Sequence, residues 1–136
     1  MFNSISNILL GSELRKVRFY AAFLFYACIV IGGSIPNERA EIGHFASGLI
    51  LHAAAYSVVT FLLWSGQDRG RLDRSVLAFL IVAAMGAFDE FVQGFLPYRT
   101  AAFDDWAVDC SASAATAWFC WQYVFQCVPS SRRLSQ

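Results

Sequence analysis

Seven side chains in this chain carry chemistry at helical spacing: His52 and Tyr56, Glu90 and Gln93, Asp105 and Asp109, with Arg99 between the last two pairs. Residues three or four apart share one side of a helix, so each pair presents its groups together. Imidazole beside carboxylates serves general acid–base work, a hydrogen-bonded network, or the binding of a charged group. The guanidinium of Arg99, on the run Pro97-Tyr98-Arg99, is suited to pair with Asp105 or Glu90, or to hold an anion such as a phosphate. A metal set of His44, His52, Glu90 and Asp109 is a weaker reading, since two histidines eight apart are turned about 80° from each other on an ideal helix. No HExxH spacing supports such a set. Neither a metal nor another cofactor is expected.

These groups sit in a chain of 136 residues that is 57% hydrophobic and 15% charged, with a mean hydropathy of +0.49. Ordinary soluble domains are about 25% charged. Ten basic residues balance ten acidic ones, which argues against a nucleic-acid partner. The four cysteines, Cys28, Cys110, Cys120 and Cys127, lie in apolar stretches without CxxC or CxxH spacing and read as small apolar residues. Cys110 beside Asp109 is expected to pack, not to attack a substrate.

The charges cluster in short blocks that separate four long stretches, expected to span a membrane at about residues 19–35, 45–64, 75–96 and 106–125. Pro36-Asn37 stops the first, Gly66 the second and Pro97 the third. The third is carried past Asp89, Glu90 and Gln93 because polar groups near the end of a spanning helix can face a protein interior. The fourth has small residues from Ser111 to Thr116, a surface that lets membrane helices approach closely and leaves room for a membrane-protein partner. Trp64 and Trp106, at helix ends, are expected in an interfacial aromatic belt, whereas Trp118 and Trp121 have no evident place. Asp89, adjacent to Glu90, is expected to face lipid headgroups or a loop. The first stretch is longer than a signal-peptide core of about 7–15 residues, which disfavours a cleaved leader.

The fold class expected is thus all-α: an integral membrane four-helix bundle. Residues 1–16 form an N-terminal segment, where Phe2, Ile5, Ile8 and Leu9 would suit an interfacial helix; residues 17–128 form the membrane domain, and 129–136 a tail. Basic residues favour the cytoplasmic side. Eight of ten fall in the N-terminal segment, the middle loop and the tail (Arg15, Lys16, Arg18, Arg69, Arg71, Arg74, Arg132 and Arg133), so both termini should be cytoplasmic. Arg39 and Arg99 fall on the other side with Glu38, Glu41, Asp104 and Asp105. That topology puts His52 and Glu90 about 10 Å below the outer surface and Asp109 about 6 Å below it. Three helices would then deliver polar groups to one outward-facing pocket.

Gly48-x-x-x-His52-x-x-x-Tyr56, then Glu90-x-x-Gln93-x-x-x-Pro97-x-Arg99, then Asp105-x-x-x-Asp109 resemble the successive signatures of the VanZ-like family of small bacterial membrane proteins. The resemblance covers about residues 30–120. It departs at Asp109, often Asn in that family, and at Ala112, where a glycine is usual. The family takes its name from a protein of glycopeptide-resistance clusters that raises resistance to teicoplanin. The resemblance implies a multi-pass protein of the bacterial inner membrane, in the cell envelope, with an association to antibiotic resistance.

Three functions fit these residues. In the first, the pocket binds the headgroup of a membrane lipid or a lipid-linked cell-wall precursor. In the second, Glu90 or His52 is the general base of an enzyme acting on a lipid-linked phosphate or ester, with Arg99 neutralising the anion. In the third, the polar groups form a structural network in a partner of another membrane complex. The first is favoured, because no complete set of nucleophile, base and orienting group is spaced in the chain.

Overall fold

The computed structural model describes residues 11–35, 48–98 and 103–123. Among these the chain forms four α-helices: α1 (Arg15–Gly33), α2 (Gly48–Gly66), α3 (Arg71–Gln93) and α4 (Phe103–Tyr123). The expected interfacial helix, most of the first loop, Arg99 and the tail lie outside the described residues.

Successive helices run in opposite directions. Arg18, at the start of α1, reaches the Ser65 carbonyl at the end of α2, and Trp64 of α2 bonds Ser75 at the start of α3. Ser75 in turn donates to the carbonyl of Ala117, near the end of α4. At the opposite end, the Tyr98 hydroxyl donates to the Ser34 carbonyl just past α1. Helix α2 is central, packing against the other three, and α4 packs against both α2 and α3.

Helix boundaries shift from the expected spans for local reasons. Helix α1 begins at Arg15, four residues early, because Arg15, Lys16 and Arg18 are good helix formers and Arg18 is anchored to Gly11 O and Ser65 O, each at 3.0 Å. Helix α3 begins at Arg71, with Asp73 in its first turn where the helix dipole favours a carboxylate. It ends at Gln93, short of Leu96. There the amides of Phe95 and Leu96 bond carbonyls only three residues back, tightening the chain ahead of Pro97.

Three helices, Arg15–Gly33, Gly48–Gly66 and Leu72–Gln93 within α3, are long and apolar enough to cross a membrane. Helix α4 has the length, 21 residues, but is more polar, carrying Asp109, Ser111, Ser113 and Thr116. Large apolar side chains point away from the protein on every helix: Phe23, Leu24 and Ile31 on α1, Ile50 and Val58 on α2, Leu80 and Phe91 on α3, Trp118 and Phe119 on α4. A soluble protein would hide such surface. The positions hidden between helices are smaller or polar: Ala22, Thr60, Ala78, Ser113 and Ala117, around Tyr56, Val59, Leu63, Trp64 and Val82.

Two glycines mark close helix contacts. A Cβ on Gly66 would stand 2.6 Å from the backbone nitrogen of Phe19, so α1 and α2 touch backbone to backbone. A Cβ on Gly86 would meet Asp109 Oδ2 at 3.1 Å and Trp106 Cδ1 at 3.2 Å, so α4 lies close against α3 there. Small residues at such positions let membrane helices approach.

The aromatic expectations need correction. Trp64 does not belong to a lipid-facing belt: it is only 2% exposed, its Nε1–H donates to Ser75 Oγ at 3.1 Å, and the Arg74 guanidinium lies 5.7 Å from its ring. Trp106 is half-buried and donates Nε1–H to the Ala83 carbonyl at 3.0 Å. A buried indole needs an acceptor, and the neighbouring helix supplies it in both cases. Trp118 and Trp121 are exposed. Among the described cysteines Cys28 is exposed, Cys110 half-buried and Cys120 buried, all as free thiols.

Candidate functional site

The polar stripe of α2 is set by periodicity. His52, Tyr56 and Thr60 are successive fourth residues, so they line one side of α2. The matching stripe of α4 is Asp109, Ser113 and Ala117, and that of α3 is Gly86, Asp89 and Gln93. The three stripes face one another. His52 Nδ1 lies 3.1 Å from Asp109 Oδ1, the Tyr56 hydroxyl donates to Asp89 Oδ2 at 3.2 Å, and Thr60 Oγ1 and Ser113 Oγ share a hydrogen bond at 3.0 Å. Three side chains of α2, two of α4 and one of α3 therefore enter a connected network.

Within it the two rings of α2 stack, His52 on Tyr56, with centroids 6.0 Å apart and planes 18° from parallel. The rings link two acids: Asp109 is held by the imidazole and Asp89 by the phenol. With Asp109 ionised, Nδ1–H of His52 is the donor, since a carboxylate only accepts. Asp109 is fully buried and Asp89 is 2% exposed. Each keeps one buried oxygen, Asp109 Oδ2 and Asp89 Oδ1, without a hydrogen-bond partner among the described residues. Below this layer the Thr60 hydroxyl donates to its own helix at Tyr56 O, 2.7 Å away. Tyr26 of α1 closes the rear by donating to the Met85 carbonyl of α3 at 2.8 Å.

Of the expected residues, His52, Tyr56 and Asp109 are brought into direct contact through this network. Glu90 and Gln93 are buried on α3 at the same end. Asp105 is half-buried in the first turn of α4, one turn from Asp109. Arg99 and His44 lie outside the described residues. Among the described residues no three of His, Cys, Asp and Glu converge as a metal set.

Asp89 was expected at headgroups or in a loop, and its position is a correction: it is buried and bonded to Tyr56. Adjacent helical residues point about 100° apart, yet α3 is covered by both α2 and α4, so Asp89 and Glu90 are each buried. The signal in the sequence was Asp89 lying three residues after Gly86 and four before Gln93. Gly86, which lets α4 approach α3 closely, also had no mark by residue type alone.

Compared with protein-family models, curated proteins and solved structures, the chain matches none.

Proposed function

We propose that this is a VanZ-like protein of the bacterial inner membrane, crossing four times as a bundle with both termini in the cytoplasm. In this reading the His52, Tyr56, Asp89 and Asp109 layer faces outward and holds the headgroup of a lipid or a lipid-linked cell-wall precursor. One observation carries it: two deeply buried acids from different helices meet a histidine and a tyrosine at the end of the helix pack opposite the arginines. Ionisable groups inside membrane helices are scarce and mark binding or transport sites. The opposite end, with Arg15, Lys16, Arg18, Arg69 and Arg74 on or next to the helix termini, has the charge expected of a cytoplasmic face. The motif spacing supports the family, and the family supports a link to glycopeptide resistance.

The His52–Asp109 pair favours a second reading. A carboxylate that orients an imidazole is the usual companion of a general base, here on a lipid-linked phosphate or ester.

The test is native mass spectrometry of the purified chain in bacterial-lipid nanodiscs, with a membrane-impermeant thiol label on a Gly70→Cys variant lacking the native cysteines. Saturable lipid adducts and labelling only from the cytoplasmic side are expected. Labelling of residue 70 from outside overturns the topology. Turnover of a lipid-linked phosphate, lost in Glu90→Gln, replaces binding by catalysis.

A further inference from the structure

We propose that the arginine end of the helix pack binds an anionic phospholipid, whose phosphate is drawn to Arg15 and Arg18 of α1 and Arg74 of α3. This surface lies at the opposite end from the acid layer and does not depend on what that layer binds. Three guanidinium groups from two helices gather on one short stretch of chain, the end of α2 and the turn that follows it. Arg18 Nη2 donates to Ser65 O at 3.0 Å, Arg15 pairs with Asp68 at 2.6 Å, and Arg74 Nε donates to Arg69 O at 2.6 Å. They stand close enough for their charges to act on one another. Free arginines would swing apart into water, whereas these are tied to the turn, Arg74 also lying 5.7 Å from the Trp64 ring. The cost of collecting three like charges is thus met in folding, before any ligand arrives.

The chain does not balance this charge. The acids of this end are Glu13, Asp68 and Asp73, against Arg15, Lys16, Arg18, Arg69, Arg71 and Arg74. Asp68 is already paired with Arg15, and Asp73 stands in the first turn of α3, where it answers the helix dipole. The segments that lead away from this end, residues 1–10 and 124–136, contain no Asp or Glu and add Arg132 and Arg133. They enlarge the excess. Nor does an anion need a cavity to reach it, because Arg15 keeps 31% of its side chain exposed and Arg74 is half-buried.

The location selects the class of anion. The arginines stand at the ends of helices long and apolar enough to cross a membrane, and Leu14 and Phe25, four before and seven after Arg18, are exposed on its side of α1. A phosphate at this level with acyl chains along that surface is a phospholipid. Guanidinium forks match phosphate oxygens, and basic groups between membrane helices bind anionic headgroups. A zwitterionic headgroup would bring its own ammonium into the cluster, so the lipid carries net negative charge.

The experiment places the full-length chain in phosphatidylcholine nanodiscs doped with phosphatidylglycerol of the same acyl chains and counts retained lipids by native mass spectrometry. Phosphatidylglycerol should be preferred by about tenfold, and Arg15→Gln and Arg74→Gln should each lower that preference by about fivefold. Lys16→Gln removes the same charge from α1, but about 160° round the helix from Arg18, and should alter the preference by less than about twofold. A fall equal to that of Arg74→Gln would show diffuse surface charge and overturn the site. Asp68→Asn, at a position 73% exposed, should raise the preference by a few-fold. Misfolding does not produce such a gain, so this arm decides if the arginine variants fail to fold, and its absence overturns the proposal. Inorganic phosphate serves as competitor: if it binds with the same arginine dependence while the two lipids are retained alike, the site takes a soluble anion and the lipid assignment falls. Equal retention of both lipids without phosphate binding overturns the site altogether.

Discussion

The two ends of the helix pack handle buried polarity in different ways. At the arginine end, side chains mostly bond backbone, beside the Trp64–Ser75 bond and the Arg15–Asp68 ion pair. Arg18 holds the carbonyls of Ser65 and Gly11, Gln67 donates to Leu63 O, Arg74 to Arg69 O, and Ser75 relays Trp64 to Ala117 O. The Leu63 and Ser65 carbonyls lie in the last turn of α2, where a helix leaves acceptors unused. Such bonds complete the secondary structure. Arg18 Nη1 and Gln67 Oε1 have no partner there, but each belongs to a side chain already holding a carbonyl.

At the other end, Tyr26 and Trp106 also bond carbonyls of α3, but three side-chain pairs join helices: His52 to Asp109, Tyr56 to Asp89, Thr60 to Ser113. No helix needs these bonds to close its termini. Buried carboxylates in a purely structural device are normally satisfied, whereas here each aspartate keeps an oxygen unmatched among the described residues. On the proposed reading, the hydrogen bonds of the first end serve the fold, and polarity at the second serves a bound group as well.

Variants at the two ends test this contrast. The largest effect should come from Trp64→Ala, which empties the buried corner among α2, α3 and Arg74 and removes the donor to Ser75; a loss of about 3 kcal/mol is expected by thermal or denaturant unfolding in detergent. Removing the Gly66 contact by Gly66→Ala follows. The new Cβ meets the Phe19 backbone, not a flexible side chain, so α1 must shift, at a cost of about 1–3 kcal/mol. A crosslinking assay between α1 and α2 reads the displacement.

Tyr56→Phe removes the hydroxyl from Asp89 with the ring retained. It should change unfolding by about 1 kcal/mol while weakening lipid retention, so the two measurements separate site from scaffold. The smallest effect belongs to Arg15→Ala. Its ion pair with Asp68 spans 2.6 Å, but Asp68 is 73% exposed, and a loss below about 0.5 kcal/mol is expected. Should Tyr56→Phe prove as damaging as Trp64→Ala, with binding unchanged, the two ends would be alike and the network structural.

Much of the scaffold was legible from residue type. The long apolar stretches mark α1, α2 and most of α3, and Pro97 and the charge blocks mark their limits, because burying backbone in hydrocarbon leaves helix as the available form. His52, Tyr56 and Asp109 were legible because ionisable or polar groups stand out against apolar neighbours. Asp89 was not. Its adjacency to Glu90 suggested that one of the two must face outward, and only the coverage of α3 by two helices removes that constraint. Trp64 was misread for a related reason: a position near a helix end resembles the membrane interface until a neighbouring helix is seen to cover it.

The amino-acid sequence by itself determined that these segments are helices, which faces of them are polar, and that basic residues gather at one set of helix ends. Those are properties of hydropathy and of a 3.6-residue period, which act within a segment. Which acid meets which ring was decided by the packing: the offsets at which α4 and α3 lie against α2 pair Asp109 with His52 and Asp89 with Tyr56. No local pattern encodes such an offset, because it is a property of two surfaces in contact.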